Sequence, residues 1–261
     1  MNNHALSEDQ ILSFKLNGFL LVKSLLSSQE VNLLSDRCDR IEAGEAEHIP
    51  QTSIEFESQY SKKTGNEVMP EDATRKLYNI AVHDPMMWQH AVNPKIVDTV
   101  SDLLNTNDIK MYGDQLFMKP PRVGSETRWH QDSASWRDIF PMNLVSAWTA
   151  IDEATADNGC LDFAPGTHRW GMMRDKQAAW FVGELGTDQW PIISLPMKPG
   201  DVSFHHSLVL HHSNANHSGK RRRGYAIHYM RAISRIDEEV TDAPTMPPFR
   251  QIRGRSFEGC V

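Results

Sequence analysis

Cysteine is scarce in this chain: 261 residues carry three, Cys38, Cys160 and Cys260. An odd, widely spaced set with no CxxC pair and no zinc-ribbon spacing excludes a disulfide-stapled scaffold and a thiolate zinc site, and it points to a reducing interior. Positive charge is also short. Lysine and arginine number 27 against 34 aspartates and glutamates, a net charge of -7. That balance speaks against nucleic acid or an anionic membrane surface as the main partner and leaves small-molecule partners. Long apolar runs are missing as well: nothing approaches the ~18 uninterrupted apolar residues of a membrane span. The N-terminal segment mixes charge with short apolar runs and builds no signal-peptide core. No internal repeat or low-complexity tract occurs. The expectation is a soluble, cytoplasmic protein.

Hydrophobic residues make up 39% of the chain, enough for one substantial core, and all-β folds of this length commonly form one domain. A single domain over residues 1–261 is expected. Ser7-Glu8-Asp9-Gln10 has the form of a capping box opening a short helix that Gly18 stops, ahead of a strand at Phe19-Leu20-Leu21-Val22. A second helix begins near Ser28, carries Val31, Leu33, Leu34, Cys38 and Ile41 on its covered stripe, and ends at Gly44. From Glu45 to about Thr74 the chain is polar, with Pro50, Gly65 and Pro70, and predicts a long surface loop. Proline at a first turn opens a third helix over Pro94 to Leu104.

After Asn105 the apolar segments shorten: Ile109 to Met118, Thr127 to Gln131, Leu144 to Ile151, Leu161 to Ala164, Val202 to His205 and Tyr225 to Met230. Turn sequences such as Pro120-Pro121, Asp157-Asn158-Gly159, Pro165-Gly166 and Pro199-Gly200-Asp201 punctuate them. Regular short strands imply a sandwich or barrel. The expected fold class is mainly β with flanking α-helices, a helical N-terminal third packed on a jelly-roll core from about 105 to 235. Cores of this kind enclose ligand cavities.

The chemistry sits in two separated clusters. His130-Gln131-Asp132 places an imidazole and a carboxylate two positions apart, which on a strand share one face. Taken alone, such a pair is more often a surface turn. A second cluster follows Gly200-Asp201, where His205, His206, His211 and His212 fall within one hairpin. Four histidines cannot all be ligands, and His211 is the one chosen. Two histidines and a carboxylate leave half of a ferrous coordination sphere open, the arrangement that non-haem iron oxygenases use. Arg222 follows on the next strand, where its fork could grip a carboxylate bidentately. The other reading of Lys220-Arg221-Arg222-Arg223 is a solvated basic turn. If a strand already runs through Arg222, then Arg222 and Arg223 face opposite sides and only one enters the cavity, the other staying wet.

The chain resembles the phytanoyl-CoA dioxygenase family of Fe(II)- and 2-oxoglutarate-dependent oxygenases. The resemblance is carried by Phe117-Met118-Lys119-Pro120-Pro121, Trp129-His130-Gln131-Asp132, Ala147-Trp148-Thr149-Ala150-Ile151-Asp152, Asn158-Gly159-Cys160-Leu161, Pro165-Gly166-Thr167-His168 and the segment from His211 to Arg222. Their order and spacing over roughly residues 75 to 230 are specific where no single motif is. The resemblance implies a double-stranded β-helix (jelly-roll, cupin-like) core and iron ligands His130, Asp132 and His211. It also implies a 2-oxoglutarate site with Arg222 and Ser213 on the distal carboxylate and Gln115, Trp148 and Lys76 as further lining. Trp148 has an alternative as a core aromatic, and Lys76 as a surface charge. His212 stands where the family often has glycine. Asp132 favours hydroxylation, because related halogenases carry a small residue in its place.

The activity implied is oxidation of an unactivated C-H of a small molecule by O2, coupled to conversion of 2-oxoglutarate to succinate and CO2. A CoA ester would call for cations, with Lys62, Lys63, Arg122, Arg128 and Arg137 as candidates, yet the acidic balance favours a non-CoA substrate. The final Gly259-Cys260-Val261 is no peroxisomal signal. The rival expectation is a jelly-roll metal- or ligand-binding protein without turnover. Arg222 discriminates, since a mere metal binder needs no buried arginine beside the ion. A zinc hydrolase would need an accompanying general base, as in HExxH, and none is present.

Overall fold

The computed structural model describes residues 4–58, 73–136, 138–173, 190–237 and 249–261. Helix α1 (Glu8–Asn17) opens with the expected reciprocal Ser7/Gln10 capping box and ends at Gly18, whose φ of 82° belongs to the left-handed region that glycine enters without cost. Strand β1 (Phe19–Val22) follows, then α2 (Ser28–Glu42) with a second capping box, Ser27/Glu30. Next come β2 (Ile54–Phe56), β3 (Thr74–Tyr78), α3 (Pro85–Ala91) and α4 (Pro94–Leu104). The rest is strand: β4 (Ile109–Phe117), β5 (Thr127–His130), β6 (Ile139–Phe140), β7 (Val145–Ala150), β8 (Leu161–Phe163), β9 (Ile193–Leu195) and β10 (Val202–His206). The last four are β11 (His211–Ser213), β12 (Gly224–Arg231), β13 (Arg235–Ile236) and β14 (Arg250–Arg253).

Two antiparallel sheets face each other. The larger runs β1-β10-β7-β12-β4-β3-β2, with β14 on β4, and the smaller runs β5-β11-β8-β9. This is the jelly roll expected from the strand spacing. Side chains of the large sheet alternate between two environments. Val145, Ala147, Phe204, Ile227 and Tyr229 pack with Leu34, Cys38, Ile96, Val97 and Val100 of the helices. Trp148 and Ala226 face the other way, toward Leu161 and Phe163 of the small sheet. The site lies in this second, inter-sheet layer.

Several expectations are corrected. Segment 45–74 is not one loop, because β2 pairs with β3 in the register Ile54 to Leu77; the apolar-polar-apolar run Ile54-Glu55-Phe56 is too short to announce a strand. Leu33 is 46% exposed, and Arg37 takes a covered position, with Nε 2.6 Å from Asp84. The C-terminal tail contributes β14 to the edge of β4. Arg223 does not stay wet. It is 4% exposed and pins α2 to the sheet through Asp152 (2.9 Å) and Asp39 (2.6 Å). Lys62, Lys63 and Arg137 lie outside the described residues.

Candidate metal centre and co-substrate pocket

His130 is the last residue of β5 and His211 the first of β11, and the two strands pair in register at these residues. Their ring centroids are 4.2 Å apart. Asp132 reaches the pair differently from the same-strand argument, since β5 has ended and Asp132 opens a short 3-10 turn, Asp132–Ala134. Its Oδ1 lies 3.5 Å from His130 Nε2 and 3.7 Å from His211 Nε2. One ligand atom from each of the three falls within 4.8 Å of the others.

Both tautomers are set by the backbone. His130 Nδ1 is 2.7 Å from the Arg128 carbonyl and His211 Nδ1 is 3.0 Å from the Val209 carbonyl. A carbonyl only accepts, so each Nδ1 holds the proton and each Nε2 presents a lone pair. Asp132 Oδ2 accepts the Ser146 hydroxyl at 2.8 Å, which leaves Oδ1 for the shared space. Three lone-pair donors aimed at one point repel unless a cation sits among them, and two imidazoles with one carboxylate suit ferrous iron. Charge follows the same logic. Burial opposes ionisation of Asp132, but the surrounding His211, His130 and His205 hold its carboxyl well below the usual range. Burial and the His130 ring push His211 well down. His130 itself is raised, because Asp132 outweighs its burial.

The other histidines of the hairpin divide by strand alternation. His212 turns its Nε2 to Asp162 at 2.9 Å and packs on Trp129, while His206 packs against His168. His205 points inward, with Nε2 3.4 Å from Asp132 Oδ2.

A cavity of about 820 Å³, counted to its open mouth, surrounds the cluster; Lys76, Gln115, Trp148, Ser213 and Arg222 all line it. Arg222 precedes β12, is 1% exposed, and leaves its Nε and Nη1 without a hydrogen-bond partner among the described residues. Its guanidinium carbon lies 5.3 Å over the Trp148 ring. Burial lowers its pKa only to about 10, so the charge persists at neutral pH. A buried, charged fork with orphaned donors fits a carboxylate ligand. Trp148 can lie flat beside it because residue 224 is glycine, where a Cβ would come within 1.9 Å of the indole. Lys119 donates to the carbonyls of Ser213 and Asn214 and fixes the chain at the start of that turn. Lys76 is shared with Glu55, 3.6 Å away, and burial lowers its pKa.

Sequence reasoning missed Ser146 and His228 and set His205 aside as a ligand, yet all three face this cavity or its ligands. The signal was available in the alternation: with Trp148 inward, Ser146 two positions earlier on β7 must share its face, and His228 stands an even number of places after Arg222.

A jelly roll that brings two imidazoles, one carboxylate and a buried arginine into one cleft defines a non-haem iron oxygenase that uses an oxo-acid co-substrate. The sequence profile described as Phytanoyl-CoA dioxygenase (PhyH) matches residues 14–224, and the chain belongs to this family of Fe(II)- and 2-oxoglutarate-dependent oxygenases. A probable phytanoyl-CoA dioxygenase of Caenorhabditis elegans is 28% identical over 247 residues, covering 86% of this chain and 75% of the relative. The peroxisomal phytanoyl-CoA dioxygenase of Mus musculus is 27% identical over 240 residues, 88% of this chain and 70% of that protein. Among solved structures, EctD from S. alaskensis with bound Fe superposes with a TM-score of 0.81 at 22% identity, covering 98% of this chain and 90% of that one. The carbocyclase SnoK from nogalamycin biosynthesis gives 0.71 at 20% identity, with 92% and 91% covered. These two share the fold. Membership in an oxygenase family removes the rival reading of a binding protein without turnover. No described helix is long and apolar enough to cross a membrane.

Proposed function

We propose that His130, Asp132 and His211 hold Fe(II), that Arg222 and Ser213 hold the distal carboxylate of 2-oxoglutarate, and that the enzyme hydroxylates a small molecule that is not a CoA ester. The observation that carries this reading is the convergence of three lone-pair donors within 4.8 Å in the same cavity as the unpartnered, charged guanidinium of Arg222. When bound, iron with 2-oxoglutarate and O2 supplies oxidative decarboxylation to succinate and CO2 together with oxidation of a substrate C-H.

The chain's own residues supply everything else. Carbonyls of Arg128 and Val209 keep the ligand nitrogens unprotonated, and Ser146 orients the carboxylate. Arg222 and Trp148 fix the co-substrate's far end and exclude water beside it. Gln115 and Lys76 line its flank. Arg128, one of the cations a CoA ester would call on, is almost wholly exposed and lies 3.7 Å from Glu126, which offsets its charge. Free, buried Cys38 and Cys160 support a reducing, cytoplasmic setting, and the facing sheets that enclose one cavity support a single domain.

Anaerobic addition of Fe(II) and then 2-oxoglutarate to the metal-free protein tests the assignment. The weak visible charge-transfer band of the chelate should appear, vanish in Asp132→Ala, and require far more 2-oxoglutarate in Arg222→Ala. A band that survives Asp132→Ala sinks the ligand set. Succinate release across a metabolite panel then identifies the substrate.

A further inference from the structure

A row of three side chains lies beneath the metal centre. His205 on β10, Ser146 on β7 and His228 on β12 are cross-strand neighbours on the inward face of the large sheet. Ser146 Oγ lies 2.8 Å from Asp132 Oδ2 and 2.7 Å from His228 Nδ1. Proton accounting fixes this network. An ionised carboxylate oxygen only accepts, so the single Ser146 proton points at Asp132. The serine oxygen must then accept from His228, which puts the ring proton on Nδ1. Burial keeps the ring neutral, its pKa down at about 4. The other nitrogen, Nε2, therefore carries a lone pair.

That lone pair has no partner among the described residues. His228 is 4% exposed, its Nε2 is buried without a partner, and the residue lines the cavity. Nε2 is also the ring nitrogen farther from the strand. Trp136 holds the ring plane from one side, 4.4 Å between centroids, and is itself backed by Tyr112 at 4.7 Å. The co-substrate cannot satisfy it: ionised 2-oxoglutarate carries acceptor oxygens and no N-H or O-H donor. A buried acceptor left unpaired is costly, so the cavity selects for what pairs with it.

We infer that His228 Nε2 is a fixed hydrogen-bond acceptor for the substrate, which therefore carries a hydroxyl or N-H donor close to the carbon that is oxidised. The inference rests on the cofactor assignment above and deepens it. Alcohols, amines and amides fit this wall, whereas an ether, ester or carboxylate at the same point sets lone pair against lone pair. His228 is a specificity-determining residue in this account, and Ser146 sets its tautomer.

Two measurements on the protein loaded with Zn(II) and 2-oxoglutarate test it, after calorimetry has shown that both bind. Histidine-selective 15N spectra, assigned by the signal lost in His228→Phe, should show the proton on Nδ1, and Ser146→Ala should remove that preference. A proton on Nε2 in the wild-type protein overturns the inference. Ligand-observed NMR then compares matched probes, 2-pyrrolidinone against N-methylpyrrolidinone and cyclohexanol against its methyl ether. The donor-bearing member should bind about tenfold tighter, a difference of about 1.4 kcal/mol, and His228→Phe should erase the preference. No preference in the wild type, absence of binding included, or a preference that survives in His228→Phe, also overturns it. If calorimetry shows that Zn(II) or 2-oxoglutarate fails to bind, the cofactor assignment falls instead.

Discussion

Replacing Arg222 with methionine should move stability and co-substrate affinity in opposite directions. Arg222 is 1% exposed, and its Nε and Nη1 have no partner among the described residues. Each orphaned buried N-H costs about 1–3 kcal/mol. Methionine keeps an unbranched apolar stem against Trp148 and removes both donors and the charge. A net gain of about 2 kcal/mol is reasonable, which for a chain of this size raises Tm by roughly 4–8 °C. Affinity runs the other way. Two hydrogen bonds from a charged fork to a carboxylate, at about 1.5–3 kcal/mol each, correspond to roughly a hundredfold to ten-thousandfold weaker 2-oxoglutarate binding. The assay is thermal melting of metal-loaded protein with and without 2-oxoglutarate, beside a calorimetric titration. The wild type should gain stability with ligand as binding linkage requires, and Arg222→Met should start higher and gain little. A variant that melts lower than the wild type without ligand, yet binds 2-oxoglutarate equally well, would refute the reasoning.

Three further outcomes are expected. His211→Ala should abolish Fe(II) binding while His212→Ala should not, because His212 is turned to Asp162 at 2.9 Å; equilibrium titration with Fe(II) decides, and the reverse result exchanges the two roles. Ser146→Ala should weaken metal affinity about 10–100-fold while leaving the fold intact, the usual scale for a group that orients a ligand; unchanged affinity would leave Ser146 without an influence on Asp132. Glu30 governs a pH effect. Burial raises its pKa, but Lys95, Ser27 and Asn93 outweigh this and bring it from 4.5 to about 2. Its contribution is therefore complete above 4.5 and lost as pH falls through about 2. Urea midpoints should show Glu30→Gln less stable near neutrality, with the gap to the wild type closing on acidification; a gap that stays constant removes the capping carboxylate from the account.

Much of the fold was legible because local rules wrote it. Ser7 to Gln10 and Gly18 bound α1 where capping chemistry requires, and Pro94 opens α4 at its first turn. Strands β4, β5, β7, β8, β10 and β12 follow the apolar segments between turn residues, whereas β6, β9, β11, β13 and β14, each two to four residues long, escape that reading. What escaped was set by neighbours. β2 is three residues long and exists because β3 offers it a ladder, and Arg223 looked like part of a wet basic turn until α2 brought Asp39 over it. In the site, His130 and Asp132 were readable as a pair, yet the reason given was wrong for Asp132, which stands on a turn after the strand. His211 was chosen from the sequence among the four histidines, but what the others do, with His212 turned to Asp162 and His206 packed on His168, came only from the hairpin's alternation in space.

The amino-acid sequence by itself determined the class: scarce cysteine, an acidic balance, short strands between turn residues, and a spaced set of motifs that belongs to one oxygenase family. Those features depend on residue type and on separations along the chain, which a sequence contains in full. Only the tertiary structure decided which lone pairs converge, which guanidinium is left without a partner, and which proton sits on His228. Each of these follows from distances between residues far apart in the chain, such as Ser146 and His228 at 2.7 Å, and no local propensity encodes such a distance.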